Sequence, residues 1–287
     1  MIRLGTRGSA LALAQARWVA ERIEDDTELV TITTAGDRGS TAGDKSRWVS
    51  ELERALLEAR VDLAVHSAKD VPAELAEGLE LIAITERADP RDAICGARSL
   101  AELPAGARVG TSSLRRAAQL RAARDDLEVV DIRGNVDTRL RKLMEGGYDA
   151  LVLARAGLER LHRERESGGV LDELVPAAGQ GALALEAREG WLEARVVRAL
   201  DHFPTSACVL TERELTRELG ASCNTPIGAH AHRVSAEELE LRAWVGLPDG
   251  SAWISDRLRG APAGLGVAVA ERLLAAGAGE ILQGLLA

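Results

Sequence analysis

Aromatic residues are scarce in this chain of 287 residues, which contains five tryptophans, one tyrosine and one phenylalanine. Single-stranded nucleic acids are bound largely by stacking on aromatic side chains, so this composition argues against that class of protein. The formal net charge of −9 repels polyanions and argues against sequence-independent binding to nucleic acid or to an anionic membrane. We therefore expect no nucleic-acid partner and no membrane partner. A local basic cleft is still compatible with this charge.

Cysteine is scarce too, and Cys95, Cys208 and Cys223 are far apart, with no C-x-x-C pair among them. This pattern excludes a disulfide framework and a cysteine-based zinc site, and we expect no metal. An uninterrupted apolar run of about 18 residues is also missing, as is a basic segment followed by a shorter apolar run. These features lead us to expect a cytoplasmic protein.

Strand and helix signals alternate along the first two thirds of the chain. A strand at 2–5 precedes a helix that Ser9 is placed to cap, and a buried strand of the parallel type follows at 61–65. The charged, proline-containing segment 86–92 has the composition of a hinge, and a second β-α series extends from 108 to 153. Two doubly wound α/β lobes around a cleft are therefore expected.

The remainder of the chain differs in kind. Helices are predicted at 190–201 and 206–219, and a hairpin is predicted around the turn sequence 247–251. A helix rich in glycine and alanine begins near 262. We therefore expect a small α+β C-terminal domain.

Arginine residues, accompanied by serine, threonine, glycine or asparagine, follow predicted strands at three helix starts. They are Arg7 and Ser9, the run Thr111, Ser112, Ser113, Arg115 and Arg116, and the run Arg133, Gly134, Asn135 and Arg139. Backbone N–H groups at a helix N-terminus, together with guanidinium groups, form a site for carboxylates or phosphates. Because arginine in the first turn opposes the helix dipole, we expect an anion to compensate Arg115 and Arg116. The alternative interpretation is a set of solvated surface arginines.

Another group of polar residues is the run from His66 to Pro72, directly after the buried strand. It includes Lys69 and Asp70, and the proline restricts the backbone of the residue before it. In a partly desolvated cleft, Asp70 could stabilise a developing cation. An ordinary turn with a surface lysine and a core histidine fits the same residues.

Cys223 lies in a loop, 220–228, after the end of a predicted helix. That is the wrong end of a helix for lowering a thiol pKa, and no Arg or Lys is adjacent, so a standing thiolate nucleophile is not supported. The residues leave open whether this cysteine is a covalent attachment point or a spectator.

Several of these motifs together resemble the porphobilinogen deaminase family, in order along nearly the whole chain. They are Gly5-Thr6-Arg7-Gly8-Ser9, His66-Ser67-Ala68-Lys69-Asp70-Val71-Pro72, Gly110-Thr111-Ser112-Ser113-Leu114-Arg115-Arg116, Arg133-Gly134-Asn135-Val136, Gly179-Gln180-Gly181-Ala182 and the loop Cys223–Gly228. The resemblance implies periplasmic-binding-protein-like lobes. It divides the chain into domain 1 (1–86 and 182–200), domain 2 (87–181) and domain 3 (203–287).

The resemblance also implies a function. It is that of a monomeric transferase that deaminates four porphobilinogen molecules and links them head to tail into hydroxymethylbilane, in tetrapyrrole biosynthesis. By the same resemblance, Asp70 is the catalytic carboxylate and Cys223 carries a dipyrromethane cofactor through a thioether. The implied cofactor and substrate contacts are Arg7, Ser9, Lys45, Lys69, Thr111, Ser112, Ser113, Arg115, Arg116, Arg133, Gly134, Asn135, Arg139 and Gln180.

The chain departs from the family pattern in two places. The loop 36–48 has Ala35 before it where relatives often have arginine, and Ser46-Arg47-Trp48 where they often have Gly-Leu-Phe. Ala221-Ser222 replaces a common Gly-Gly before the cysteine. The role of Lys45 is therefore the weakest part of the resemblance.

Two other functions compete with this one. A non-enzymatic, two-lobed protein that binds anions or carboxylates would share the helix-start sites but would not need Asp70 or Cys223. A phosphate-transferring enzyme is disfavoured, because neither G-x-x-x-x-G-K-[ST] nor a strand-led G-x-G-x-x-G occurs.

Overall fold

The computed structural model describes residues 1–32, 46–191, 194–221 and 225–283. Residues 36–45 of the loop, which include Lys45, lie outside the described residues, and so does Cys223. The strands are β1 (Ile2–Arg7), β2 (Thr27–Ile32), β3 (Leu63–Ser67), β4 (Leu79–Ile84), β5 (Asp92–Cys95), β6 (Arg108–Gly110), β7 (Glu128–Val130), β8 (Ala150–Ala154), β9 (Gly169–Leu171), β10 (Leu183–Arg188), β11 (Ile227–Arg233), β12 (Leu239–Gly246) and β13 (Trp253–Gly260). The helices are α1 (Ala10–Ala20), α2 (Ser46–Leu57), α3 (Leu114–Ala123), α4 (Val136–Met144), α5 (Arg155–Arg160), α6 (Phe203–Glu218), α7 (Leu265–Ala275) and α8 (Ala278–Gln283).

The first sheet has the order β2-β1-β3-β10-β4. Strand β1 is parallel to β2 and β3, whereas β10 is antiparallel to both of its neighbours. Side chains of β3 alternate between faces: Leu63 and Val65 pack with residues of α1, and Ala64 packs with residues of α2. A helix therefore covers each face, as expected for a doubly wound lobe.

The second sheet has the order β7-β6-β8-β5-β9 and repeats this plan. On β8, Val152 packs with residues of α3, while Leu151 and Leu153 pack with residues of α4 and α5. The expected fold class of two doubly wound α/β lobes is confirmed.

The chain passes between the two sheets twice, at 85–91 and at 172–182. The fully buried carboxylate of Glu212, on α6, accepts hydrogen bonds from both terminal nitrogens of Arg87, at 2.8 and 2.7 Å, and from the backbone N–H of Gly179, at 2.7 Å. It also accepts one from the N–H of Ala231, at 2.7 Å. A single carboxylate thus joins both crossings to the C-terminal part of the chain.

That C-terminal part is the expected α+β unit. Strands β11, β12 and β13 form an antiparallel sheet, and residues of α6, α7 and α8 pack on one of its faces. The predicted hairpin turn is confirmed, since the N–H of Leu247 donates to the carbonyl of Ala252 at 2.8 Å. Within the described ranges, no helix has the length and apolar character needed to cross a membrane.

The helix predicted at 190–201 is a 3-10 helix in the structure, at Ala194–Leu200. The consecutive β-branched residues Val196 and Val197 lose side-chain freedom in an α-helix, which weakens that form. Val197 and Leu200 still reach the core of the first lobe.

Candidate active site

The Asp70 segment is held rigidly at the end of β3. A short 3-10 turn, Ala68–Asp70, follows the strand, and the N–H of Ala68 donates to the carbonyl of Ala182 at 3.0 Å. After the turn, the Arg213 guanidinium donates to the carbonyls of Val71, at 3.1 Å, and Pro72, at 2.7 Å. The chain around Asp70 is therefore a fixed structure.

Gly179 allows a second segment to lie against this turn. Its φ is +72°, and a Cβ there would come within 2.9 Å of the Ala68 carbonyl carbon and 3.0 Å of the Lys69 nitrogen. Only glycine tolerates both the left-handed backbone and this approach. The glycines of the Gly179-Gln180-Gly181 motif thus bring the return crossing to the Asp70 turn.

A cavity opens beside the turn, between the two lobes. It is lined by Arg7, Ser9, Leu11, Ala12, Gln15, Val49, Leu52, Val65, His66, Ser67, Lys69, Asp70, Ala154, Ala156, Gly157, Arg160 and Gly181. The structure thus brings together Arg7, Ser9, Lys69 and Asp70 of the predicted site residues. Ser9 caps α1 as predicted, since its hydroxyl accepts a hydrogen bond from the N–H of Ala12 at 3.2 Å.

His66 lines the cavity but is a core histidine. It is 5% exposed, and its Nε2 lies 2.8 Å from Oε2 of the fully buried Glu186 on β10. This pair joins two neighbouring strands beneath the Asp70 turn. The structural interpretation of His66 therefore fits better than a role as a ligand.

Two cavity residues were missed by the sequence analysis. Arg160 donates to the carbonyl of Gly181 at 2.6 Å, and burial lowers its pKa to about 10. Gln15 is 5% exposed, and its side-chain NH2 group has no hydrogen-bond partner among the described residues. A buried amide without a partner is costly, so both side chains suit a ligand that brings acceptor oxygens. Arg160 could not be told from surface arginines in the sequence, because arginine is abundant throughout the chain.

Further predicted residues meet in a network next to the cavity. The side-chain oxygen of Gln180 accepts from Lys69 Nζ at 3.2 Å and from Arg116 at 3.4 Å. Its NH2 group donates to the carbonyl of Pro90 at 2.6 Å and to the Asp92 carboxylate at 2.8 Å. Gln180 therefore connects the Asp70 turn with the first crossing between the lobes.

Asp92 is the anion that compensates the two arginines of α3. Its carboxylate is fully buried and lies 2.8 Å from the nearest guanidinium nitrogen of both Arg115 and Arg116. Burial acts to raise the pKa of Asp92, but the two guanidiniums outweigh it and hold that pKa well below its usual range. The expected anion is thus part of the protein itself. The buried Nε of Arg115 has no hydrogen-bond partner among the described residues.

The other helix-start residues do not line the cavity. Ser113 caps α3 by accepting from the N–H of Arg116, at 3.4 Å, while Thr111 is buried and Ser112 is exposed. Asn135, with Gly134 before it, precedes α4. Arg133 is exposed and pairs with Asp131 at 2.9 Å.

Arg139 occupies an intermediate position. Its Nε donates to the Gly134 carbonyl at 2.7 Å, and burial together with the neighbouring Arg116 lowers its pKa. Arg139 therefore lies near Arg116, on the side of the second lobe that also carries the compensating carboxylate of Asp92. The ligand contacts expected for these arginines stay predictions.

Comparison with known proteins assigns the chain to a family. Residues 2–195 match the model "Porphobilinogen deaminase, dipyromethane cofactor binding domain", and residues 206–275 match "Porphobilinogen deaminase, C-terminal domain". A porphobilinogen deaminase from Deinococcus radiodurans is 46% identical over 303 residues, covering 98% of each chain. One from Thermus thermophilus is 45% identical over 295 residues, again covering 98% of each chain.

Among solved structures, a periplasmic substrate-binding protein of an ABC transporter from Coxiella burnetii gives a TM-score of 0.44 at 15% identity. That match covers 70% of this chain and 92% of the other. The family models and the curated relatives favour the enzyme over a non-enzymatic anion-binding protein. These matches identify the protein as a transferase of tetrapyrrole synthesis with a dipyrromethane cofactor. The chain belongs to the porphobilinogen deaminase family.

Proposed function

We propose that this protein deaminates porphobilinogen and joins four molecules head to tail into hydroxymethylbilane, with Asp70 as its catalytic carboxylate. One observation carries the assignment of Asp70. Among the described residues, it is the one carboxylate that lines the cavity, and it lies there with the cationic side chains Arg7, Lys69 and Arg160.

The three cations suit the substrate's charge. Porphobilinogen carries an acetate and a propionate side chain, so each added ring brings two carboxylates into the cleft. Guanidinium groups bind carboxylates through paired hydrogen bonds. The unpartnered amide of Gln15 adds a further donor. A local excess of positive charge in a chain of net charge −9 therefore follows from the chemistry of the ligand.

Asp70 has the opposite charge for a different reason. When the C–N bond of the substrate breaks and ammonia leaves, the pyrrole becomes a cation. A fixed carboxylate stabilises that developing charge, and it can accept the proton lost when a ring carbon attacks. The rigid backbone on both sides of Asp70 keeps the carboxylate in place without reorganisation.

The residues also fit the dipyrromethane cofactor. Arg7, Ser9, Lys69, Arg160 and Gln15 would hold its carboxylates, and we propose Cys223 as the attachment point. When bound, the cofactor supplies the pyrrole end to which the first substrate ring is joined.

The other two cysteines do not suit covalent attachment. Cys95 and Cys208 are buried, and burial raises the pKa of the Cys95 thiol to about 11 and also raises that of Cys208. Both thiols are thus inert and inaccessible. Of the three cysteines of the chain, this leaves Cys223 for the attachment that we propose.

The cavity is small for this task. Its volume is about 110 Å³, whereas small-molecule pockets usually measure about 300–1,000 Å³. A multi-ring ligand must therefore extend into the open cleft or require the lobes to part. Separation of the lobes is possible because just two segments connect the sheets.

We further propose the domain boundaries 1–86 with 182–200, 87–181 and 203–287. Sheet membership supports them, since β10 belongs to the first sheet and β5 to β9 belong to the second. The unpaired thiols of Cys95 and Cys208 fit a reducing cytoplasm. A monomer is proposed because both walls of the cleft come from one chain.

The first experiment is the intact mass of the purified, denatured protein, with and without prior addition of porphobilinogen. We expect an excess mass of two linked pyrrole units, and Cys223→Ala should abolish that excess.

Asp70→Asn should keep the excess mass but lower turnover by about 10²–10⁴-fold. Asp89→Asn, at a part-exposed carboxylate paired with Arg91, is the matched control and should leave turnover near normal. Near-normal turnover of Asp70→Asn, or a bare-chain mass even after substrate is added, would refute the proposal.

A further inference from the structure

A second groove lies beside α3, where the C-terminal sheet meets the second lobe. Its volume is about 430 Å³, and its lining includes Glu173, Arg242, Trp244, Trp253, Asp256 and Arg257. None of these residues lines the Asp70 cavity. This volume is within the usual range of about 300–1,000 Å³ for small-molecule pockets.

Two tryptophans form one side of the groove. Their rings are stacked, with centroids 6.4 Å apart and planes at 20°. Trp244 is 6% exposed and packs against Ala118 and Val175 of the second lobe, whereas Trp253 is 50% exposed. A buried ring thus holds a half-open one in place. Half of the Trp253 side chain is available to stack on a further aromatic ring.

The groove also carries positive charge in an unfavourable arrangement. Arg242 and Arg257 are directly opposite each other on β12 and β13. Like charges at such positions destabilise a sheet. Arg257 lies 3.6 Å from Glu240, but Glu240 lies closer to Arg259, at 2.6 Å. The Arg242 side chain has no hydrogen bond or ion pair to any residue of the described ranges.

The acidic residues of the groove do not relieve this repulsion. Asp256 forms an ion pair with Arg272 of α7, at 2.6 Å, on the core side of the sheet. Glu173 is exposed, and within the described part of the chain it forms no ion pair with either arginine. Arg242 therefore has no counterion within the described ranges and Arg257 has only its 3.6 Å ion pair with Glu240, so the two arginines together can accept an anion from outside the protein.

We propose that this groove binds a small aromatic carboxylate. Its ring would stack on Trp253, and its carboxylate would lie between Arg242 and Arg257. The site requires only ion pairing and stacking, so it is independent of the reaction proposed for the Asp70 cavity. Glu173, on the opposite wall, would favour ligands that also carry an N–H donor.

The test uses the full-length protein and benzene-1,2-dicarboxylate as the probe, followed by tryptophan fluorescence and by calorimetry. We expect saturable quenching. Arg242→Leu and Arg257→Leu should each weaken binding by about tenfold or more, and Trp253→Ala should weaken it by about tenfold. Arg233→Leu, on β11 and outside the groove, is the matched control and should leave binding unchanged, because among the described residues its guanidinium is hydrogen-bonded only to the carbonyls of Ser235 and Ala236. Arg233 and Arg257 are exposed, Trp253 is 50% exposed and Arg242 is part-buried on the sheet surface, so folding should survive.

Two comparisons make the result decisive. Cyclohexane-1,2-dicarboxylate has the same charges without the aromatic ring, and it should bind about tenfold more weakly to the unaltered protein. Arg160→Leu removes a cation from the Asp70 cavity and should leave the quenching intact. Absence of binding, or binding that Arg160→Leu abolishes and the groove variants do not, would overturn the proposal.

Discussion

Replacing Asp92 by asparagine should destabilise the protein strongly, because Asp92 is the one carboxylate among the described residues that pairs with the two buried arginines Arg115 and Arg116. Arg115 and Arg116 are 4% and 6% exposed, and Asp92 is fully buried. Asparagine keeps the shape and one acceptor oxygen, so the change isolates the charge. Breaking a buried ion pair by removing one partner costs about 3–5 kcal/mol.

That loss is a large part of the total stability of about 5–15 kcal/mol expected for a folded protein. In a chain of 287 residues it corresponds to a fall in the melting temperature of roughly 5–8 °C. Calorimetry and urea unfolding at neutral pH measure it directly. Asp89→Asn is the matched control, because Asp89 also binds an arginine but is partly exposed. Its ion pair with Arg91 should be worth at most about 1 kcal/mol.

The pH dependence provides a second test. The pKa of Asp92 is depressed in the folded protein, so its stabilisation is fully present above its unfolded pKa of about 4 and is lost as the pH falls further. The asparagine that replaces it in the variant does not titrate. The stability difference between the two proteins should therefore be largest at neutral pH and should shrink below about pH 4. Equal stability at neutral pH, or equal losses for Asp89→Asn and Asp92→Asn, would refute the reasoning.

Three further predictions concern the cavity and the crossings. Arg160→Leu should raise the KM for porphobilinogen about tenfold or more without loss of melting temperature. Arg155→Leu, five residues earlier on the same helix and paired with Glu159, should leave the KM unchanged, and equal KM values for the two variants would contradict the role of Arg160. Gly179→Ala should lower the free energy of unfolding by about 1–3 kcal/mol more than Gly190→Ala. Both glycines have positive φ, but only a Cβ at Gly179 would come close to neighbouring backbone atoms. Unfolding in urea measures the difference. Glu212→Gln should lower the free energy of unfolding by about 3–5 kcal/mol, because it leaves Arg87 buried without a counterion. Glu214→Gln loses a part-buried contact to the backbone N–H of Gly266 and should cost less. Equal melting temperatures of the two variants would contradict a stabilising role of Glu212 at the crossings.

Local features of the fold were predictable because they depend on neighbours in the sequence. Ser9 and Ser113 follow strands and precede helices, and both cap their helices by accepting from the backbone N–H three residues on. The alternation of strand and helix signals likewise predicted two doubly wound lobes. The hairpin turn at 247–251 was evident from its proline, aspartate and glycine.

The motifs were informative about the site for the same reason. A short run such as Lys69-Asp70 keeps its order in any fold, so its resemblance to a family could be read from the sequence. Whether Asp70 meets Arg160 of the second lobe depends on how the lobes pack. The helix that carries Arg160 follows β8 and faces the cavity, which no local pattern encodes.

Only the tertiary structure decided which charges meet. The sequence by itself determined that Arg115 and Arg116 need an anion, because their place in the first turn opposes the helix dipole. The strand order decides that this anion is Asp92, because β5, which begins at Asp92, lies in the same sheet as β6, which precedes the helix of the two arginines. The packing of remote segments also makes the link from Asp92 through Gln180 to Lys69. Ion pairing depends on distance in space and on burial, and both are set by how remote segments cross.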